Sequence, residues 1–342
     1  MSRFTRTTVV AVAATAVLLL SACSNGPSEG STDADGKTIV TLRHSWIPDD
    51  LMMPVVAAKQ LGFYAEENIT LVDQVGNGGA TSAQLVANGD VMVGVGEAAH
   101  VLNARNQGLP IVYIATQIQD QPNVLVTMKS SGIDSWDDLR GKDIGTTTTS
   151  SGHVGLRAAL AAQGIDESEV TFVNFPAGAA LTTLPTGEID AAGSFLGNIA
   201  ALDFYDDVSY LTYSEAGYVA PSTGFFVNES TLKNQPELLE RFVRATLKGL
   251  RYAIDNPDEV AELFPNEYAN VDPVGLAAKW KLNAQFVDTP SVAEHGLGYI
   301  DPAGWESLRD ALALAEQIPA DFDLDGAYST AILDKIPVED RS

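Results

Sequence analysis

The chain has 342 residues, 45% of them hydrophobic, which is enough for two or three domain-sized units with a substantial core. Its formal net charge is −25, with 20 Lys and Arg against 45 Asp and Glu, and no basic stripe is present. Such a surface keeps a protein in solution, repels nucleic acid and excludes that class of partner. A single cysteine, Cys23, excludes an internal disulfide.

The first 23 residues read as an export signal. Arg3 and Arg6 precede an apolar run from Val9 to Leu20, too short to span a bilayer comfortably. The run ends in Leu20-Ser21-Ala22-Cys23, which resembles a bacterial lipobox, in which the cysteine becomes the new N-terminus and carries lipid. Residues 24–36 are small, polar and acidic, and are expected to form a flexible tether. The expectation is an exported body held by lipid at the extracytoplasmic face of a membrane. A stable hold needs more than one acyl chain.

Strands and helices then alternate. Thr38–Trp46 alternates and is β-branched, which predicts a strand; Leu51–Asn68 predicts a helix interrupted at Gly62; Ile69–Val75 predicts the next strand. A glycine loop, Gly76–Ser82, leads to a helix over 83–89, a strand over Asp90–Gly96, a helix over 97–108 and a strand over Pro110–Gln119. The pattern restarts with strands at 123–129, 142–147, 169–175 and 189–195. Ser135 caps a short helix, and a second helix covers 152–164. This order predicts mainly parallel α/β sheets. GATSAQLVANGDVMVGV from Gly79 and GAALTTLPTGEIDAAGS from Gly178 share a plan of glycine loop, short helix, Gly-acid turn and small-residue strand, which suggests two lobes of similar build.

After Val208–Ser230 the character changes. Pro236 opens a long helix with apolar residues at Leu238, Leu239, Phe242, Val243, Leu247, Leu250 and Ile254, the spacing of one buried face. Asn256-Pro257 ends it. Helices are expected at 258–264, 273–286 and 302–317, with turns near Ala331, forming a tail that packs on a lobe.

In this order, HSWIP, VAAKQLGFYAEENITL, the Gly-Asp turn before GVG, VLNARNQGLPIVYIA, IDSWDDLRGKDIG, GEIDAA and NQPELLERFVRATLKGLRYAIDNPDEV resemble one family. The chain is similar, from about Ile39 to about Asn256, to the solute-binding lipoproteins of ABC importers for thiamine-pyrimidine precursors, alkanesulfonates, taurine and nitrate. Ala104, Arg105, Gly108, Leu109, Pro110, Gln121 and Pro122 resemble the pyrimidine-precursor branch. The resemblance implies a two-lobed, type II periplasmic-binding-protein-like α/β fold with the ligand cleft between the lobes. Lobe 1 would comprise 37–118 plus 220–342, with the C-terminal helices, and lobe 2 would comprise 119–219. It also implies a monomer that closes on a small-molecule solute and docks on an ABC permease served by its ATPase, with no cofactor. Fungal relatives of this fold make the pyrimidine themselves with a cysteine cluster and a histidine. With Cys23 as the only cysteine, that enzymatic activity loses its residues here, and a binding protein without catalysis is expected.

In open α/β sheets, ligands sit where strands end and loops enter helices. The candidate contacts are Trp46, Asp49, Asn77, Gly79, Thr81 and Glu97 in lobe 1. In lobe 2 they are Thr147, Thr148, Thr149, Ser150, His153, Phe195 and Asn198, with Tyr218 near the return crossing. Trp46 is either core or a flat face that stacks on a planar solute. Glu97 is either a solvated acid at a helix start or an acceptor for an amine. Phe195 belongs to core or cleft, and His153 is a contact or an exposed helix-start residue. The run GTTTTSSGHVG, 145–155, reads as a strand-to-helix corner whose hydroxyls face the cleft, with Ser150 or Ser151 as cap. Arg157 is the nearest cation foreseen there. The glycine loop lacks a P-loop lysine, His44, His100, His153 and His295 lack metal spacing, and no nucleophile elbow is present.

Overall fold

A computed structural model describes residues 31–148, 150–176 and 178–342. The signal, Cys23 and most of the tether lie outside the described residues, as does Thr149. The strands are β1 (Thr38–Arg43), β2 (Ile69–Gln74), β3 (Val93–Glu97), β4 (Ile111–Thr116), β5 (Asn123–Met128), β6 (Asp143–Thr146), β7 (Thr171–Asn174), β8 (Ala191–Phe195), β9 (Val208–Thr212) and β10 (Thr223–Asn228). Eight of these fall on the expected strands. β9 and β10 come from the span left without an assigned element.

The helices up to the return crossing are α1 (Met53–Gln60), α2 (Phe63–Glu66), α3 (Gly79–Asn88), α4 (Ala98–Asn106), α5 (Ser151–Ala162) and α6 (Ala179–Thr183). Gly62 interrupts α1 and α2 in a left-handed conformation, as its position in the sequence implies. Ser150 caps α5 by accepting from the His153 N–H at 3.2 Å. Ser135 does form a capping box, but with a single 3₁₀ turn, Trp136–Leu139.

Two five-stranded sheets result, in the orders β2-β1-β3-β10-β4 and β7-β6-β8-β5-β9. The plan is the same in both. Three strands pair in parallel around β1 or β6, and two more join antiparallel. β3 and β8, the strands of the two similar sequence stretches, occupy the same third place. In each sheet four strands thus run the same way and one, β10 or β5, runs against them, so the sheets are mainly parallel, as expected, but mixed. The reason is that each sheet takes in the strand that follows an inter-sheet crossing: β5 after the first and β10 after the return. The two crossing segments pair with each other. Gln117 and Ile118 donate to Thr223 O at 2.9 Å, Ser222 donates to Ile118 O at 3.1 Å, and Gln121 Nε2 donates to Pro221 O at 3.0 Å. Gln117, Ile118, Gln121 and Ser222 are all buried.

The later helices are α7 (Glu229–Asn234), α8 (Pro236–Asp255), α9 (Pro257–Leu263), α10 (Pro273–Asn283), α11 (Pro290–His295) and α12 (Pro302–Leu314). Asp272, Thr289 and Asp301 cap α10, α11 and α12, each followed by proline at the first helical position. α8 buries the predicted apolar face against α1 and α2. Tyr64 stacks on Phe242 with centroids 5.7 Å apart, and its hydroxyl lies 2.8 Å from Thr246 Oγ1. The tail also covers an otherwise open sheet edge: Tyr113 and Thr116 of β4 donate to Ala327 O and Gly298 O at 3.0 Å.

The tail reaches further than one lobe. α10 is anchored on α8 by Trp280, which is fully buried and donates Nε1–H to Ala253 O at 2.8 Å. α10 also packs on the 3₁₀ segment Leu196–Ala201 after β8. α12 touches α5, where Arg157 Nη2 donates to Leu314 O at 3.2 Å. Replacing Trp280 by alanine removes a large buried ring and a buried hydrogen bond. Urea denaturation is expected to show a loss of about 3–5 kcal/mol.

Candidate functional site

Between the two sheets lies a cleft of about 530 Å³. Its first wall is the loop after β1, from His44 to Met52, together with the start of α3 at Gly78 and Gly79 and the end of β3 at Glu97. The second wall is Phe195 and Asn198, just after β8. The third is α10, which contributes Lys279 and Asn283. These positions are strand ends and helix starts, where this architecture leaves backbone and side chains free to meet a ligand.

The walls differ in chemistry. Trp46 and Ile47 are exposed, at 55% and 58%, and present apolar surface at the cleft. Next to them sit two adjacent carboxylates. Burial pushes the Asp49 carboxyl up to about 7, and the neighbouring Asp50 adds to the rise. Asp50 is itself raised by burial, opposed by the Asn283 amide and the Lys279 ammonium. Asp49 Oδ1 accepts from the Leu51 N–H at 3.1 Å, so one of its oxygens caps the turn. In the same wall, Glu97 stands at the start of α4 without capping it. Its Oε2 is buried and has no hydrogen-bond partner among the described residues. His100, one turn on, packs so closely on α3 that a Cβ at Gly79 would lie 2.3 Å from its Nδ1, which explains glycine there. His44 is buried in the first wall, and burial lowers its pKa; its Nε2 lies 3.8 Å from Asp73. Among the described residues no group of three His, Cys, Asp or Glu is placed to hold a metal ion.

Six of the predicted contacts line this cleft: Trp46, Asp49, Gly79, Glu97, Phe195 and Asn198. The others do not. Asn77 is exposed and accepts from Arg43, and Thr81 faces outward on α3. The hydroxyls of the threonine run serve lobe 2 itself. Thr147 Oγ1 donates to Phe175 O at 3.0 Å, Thr148 Oγ1 donates to Asn174 Oδ1 at 2.9 Å, and Ser150 caps α5. His153 packs edge-on against Phe172, centroids 4.7 Å apart. Tyr218 is buried and lines a separate cavity of about 170 Å³ with His100, Gln121 and Ser151. Arg157 pairs with Glu167 at 2.5 Å, so the cation lining the cleft is Lys279.

Lys279 and Asn283 were beyond sequence reasoning, because the helix that carries them lies far along the chain from the lobe 2 segment it faces, with 86 positions between Asn283 and Gly197, and shows no motif. Asp50 carries a signal that was available, since it adjoins Asp49 in the same turn.

The raised Asp49 carboxyl gives a pH signature. Between about pH 4 and 7 the folded chain keeps a proton that the unfolded chain releases. The stability linked to that proton is full at acid pH and lost as pH rises through about 7. Asp49→Asn keeps the cap and removes the charge. Melting scans should show the variant more stable than the parent at pH 8 and nearly unchanged at pH 4.

A family described as NMT1/THI5 like matches residues 51–260. A 4-amino-5-hydroxymethyl-2-methylpyrimidine phosphate synthase of Legionella pneumophila is 30% identical over 239 residues, 66% of this chain and 73% of its own length. The riboflavin-binding protein RibY of Chloroflexus aurantiacus is 27% identical over 330 residues, covering 92% and 94%. Among solved structures, the periplasmic aliphatic sulphonate binding protein SsuA of Escherichia coli superposes with a TM-score of 0.66 at 14% identity, over 84% of this chain and 91% of that one. That likeness is one of fold: two mixed sheets with a cleft between them, the periplasmic-binding-protein architecture. On the match over 51–260, together with the Legionella relative, the chain belongs to the NMT1/THI5-like family.

Proposed function

We propose that the protein is the extracytoplasmic solute-binding component of an ABC importer, and that its solute is a small, flat nitrogen heteroaromatic bearing an amine, of the thiamine-pyrimidine-precursor kind. The observation that carries this reading is Glu97, which lines a cleft that also holds Asp49 and Asp50 and whose Oε2 is buried with no hydrogen-bond partner among the described residues. An acceptor left bare inside a protein is costly, and an exocyclic amine or protonated ring nitrogen removes that cost. The exposed face of Trp46 supplies a stacking surface for the ring. Two of the relatives carry a pyrimidine or a flavin in their names, which is the same broad shape of ligand.

In this reading the lobes, 37–118 with 220–342 and 119–219, close by bending at the paired crossing segments. The solute favours closure by touching both. The monomer is held to the membrane through lipid on Cys23 and hands its solute to a permease. An anionic solute, such as an alkanesulfonate, taurine or nitrate, is the second reading. Lys279 and the first turn of α3 at Gly79 favour it, but three cleft carboxylates oppose it. Catalysis of pyrimidine synthesis has less support, since the sequence offers no cysteine besides Cys23.

A thermal-shift panel separates the readings. 4-Amino-5-hydroxymethyl-2-methylpyrimidine should raise the melting midpoint and taurine should not. Glu97→Gln should weaken pyrimidine binding by about tenfold or more. A shift with taurine alone selects the anionic reading, and product formed from precursors by the purified chain would establish an enzyme.

A further inference from the structure

Asn283, at the last position of α10, is 3% exposed and uses both ends of its amide. Nδ2 donates to Asp50 Oδ2 at 2.8 Å, in the first wall of the cleft. Oδ1 accepts from the Gly197 N–H at 3.1 Å, in the second wall, between Phe195 and Asn198. The fit on the lobe 2 side is tight: a Cβ at Gly197 would lie 2.6 Å from Asn283 Nδ2. One buried side chain thus joins the β1 loop of the first lobe to the segment after β8 of the second. It does so from a helix pinned to α8 by Trp280. Its partners are cleft residues, and Lys279, one turn earlier on α10, lines the same cleft.

We infer that Asn283 is a positioning residue for solute capture, a latch that holds the two walls together. Its two hydrogen bonds can both be made only when the first wall and the segment around Gly197 approach α10 from opposite sides. Opening the cleft breaks at least one of them and leaves a buried amide or carboxylate without a partner, at a cost that favours closure. The latch favours the closed arrangement before any solute enters, and the solute then adds to it. The Asp50 carboxylate is held against the amide, while Glu97 Oε2 has no hydrogen-bond partner among the described residues.

The effect on affinity rests on the solute-binding reading above, whereas the effect on lobe separation does not. The test is therefore run in two parts on the full chain with Cys23→Ser, carrying spin labels at Asp90→Cys in one lobe and Glu188→Cys in the other, both exposed. With no solute added, pulsed dipolar spectroscopy should give a short distance for the parent. Asn283→Asp, which sets a carboxylate against Asp50, and Gly197→Ala, which pushes from the lobe 2 side, should each shift the distribution to longer distances. The double exchange Asp50→Asn with Asn283→Asp restores a donor facing an acceptor and should return the short distance, which a merely unfolded or loosened variant would not do. Distributions that stay the same in both single variants overturn the latch. Titration with 4-amino-5-hydroxymethyl-2-methylpyrimidine should then show Asn283→Asp weakened by about tenfold or more and the exchange recovered. If the distances change and no variant alters pyrimidine binding, the latch stands and the assignment of this solute to the cleft falls.

Discussion

The architecture depends on the double crossing of the chain between its sheets. Each time the chain crosses, its next strand enters the new sheet antiparallel, β5 in one case and β10 in the other. A strand placed inside a sheet cannot slip without breaking hydrogen bonds on both sides. The crossings are thereby held at both ends, and they bond to each other through Gln117, Ile118, Ser222 and Gln121. The ends of β1, β3 and β8 then have no option but to face one another. The cleft is a consequence of strand pairing more than of the residues that line it.

Within that frame, desolvation decides the chemistry. The body carries a large negative charge, yet most acids are solvated and select nothing. Asp49, Asp50 and Glu97 differ because walls on three sides exclude water from them. Burial raises the first two, the single lysine of the cleft offsets them in part, and one Glu97 oxygen is left bare. On the proposed reading, a cleft with this balance holds a donor-rich or cationic ring in preference to a small anion. α10 supplies both the lysine and the amide that moderate the two aspartates, so the C-terminal region belongs to the site as well as to the scaffold.

Local signals were legible wherever local physics decides the outcome. The alternation of β-branched residues in 38–43, the three-and-four spacing along α8, the caps at Ser135 and Ser150, and the stop at Gly62 all act over a few residues. β9 and β10 were not legible, because their place follows from a crossing that leaves no local mark. Of the cleft-lining residues, Trp46, Asp49, Gly79, Glu97, Phe195 and Asn198 were expected there from their places at strand ends. The threonine run shares that kind of place, but Thr147 and Thr148 turn to Phe175 O and Asn174. A hydroxyl takes the nearest acceptor, and the acceptors of β7 are nearer than the cleft.

The sequence by itself determined the class of the fold, the order of most elements and the family. It did so because periodicity, capping and motif order are properties of neighbours along the chain. Only the tertiary structure decided that Asn283 meets Asp50 across 233 positions and Gly197 across 86, that Lys279 rather than Arg157 supplies the cation of the cleft, and that Glu97 keeps a bare oxygen. Those outcomes depend on which surfaces exclude water together, and water exclusion is set by contacts between distant segments.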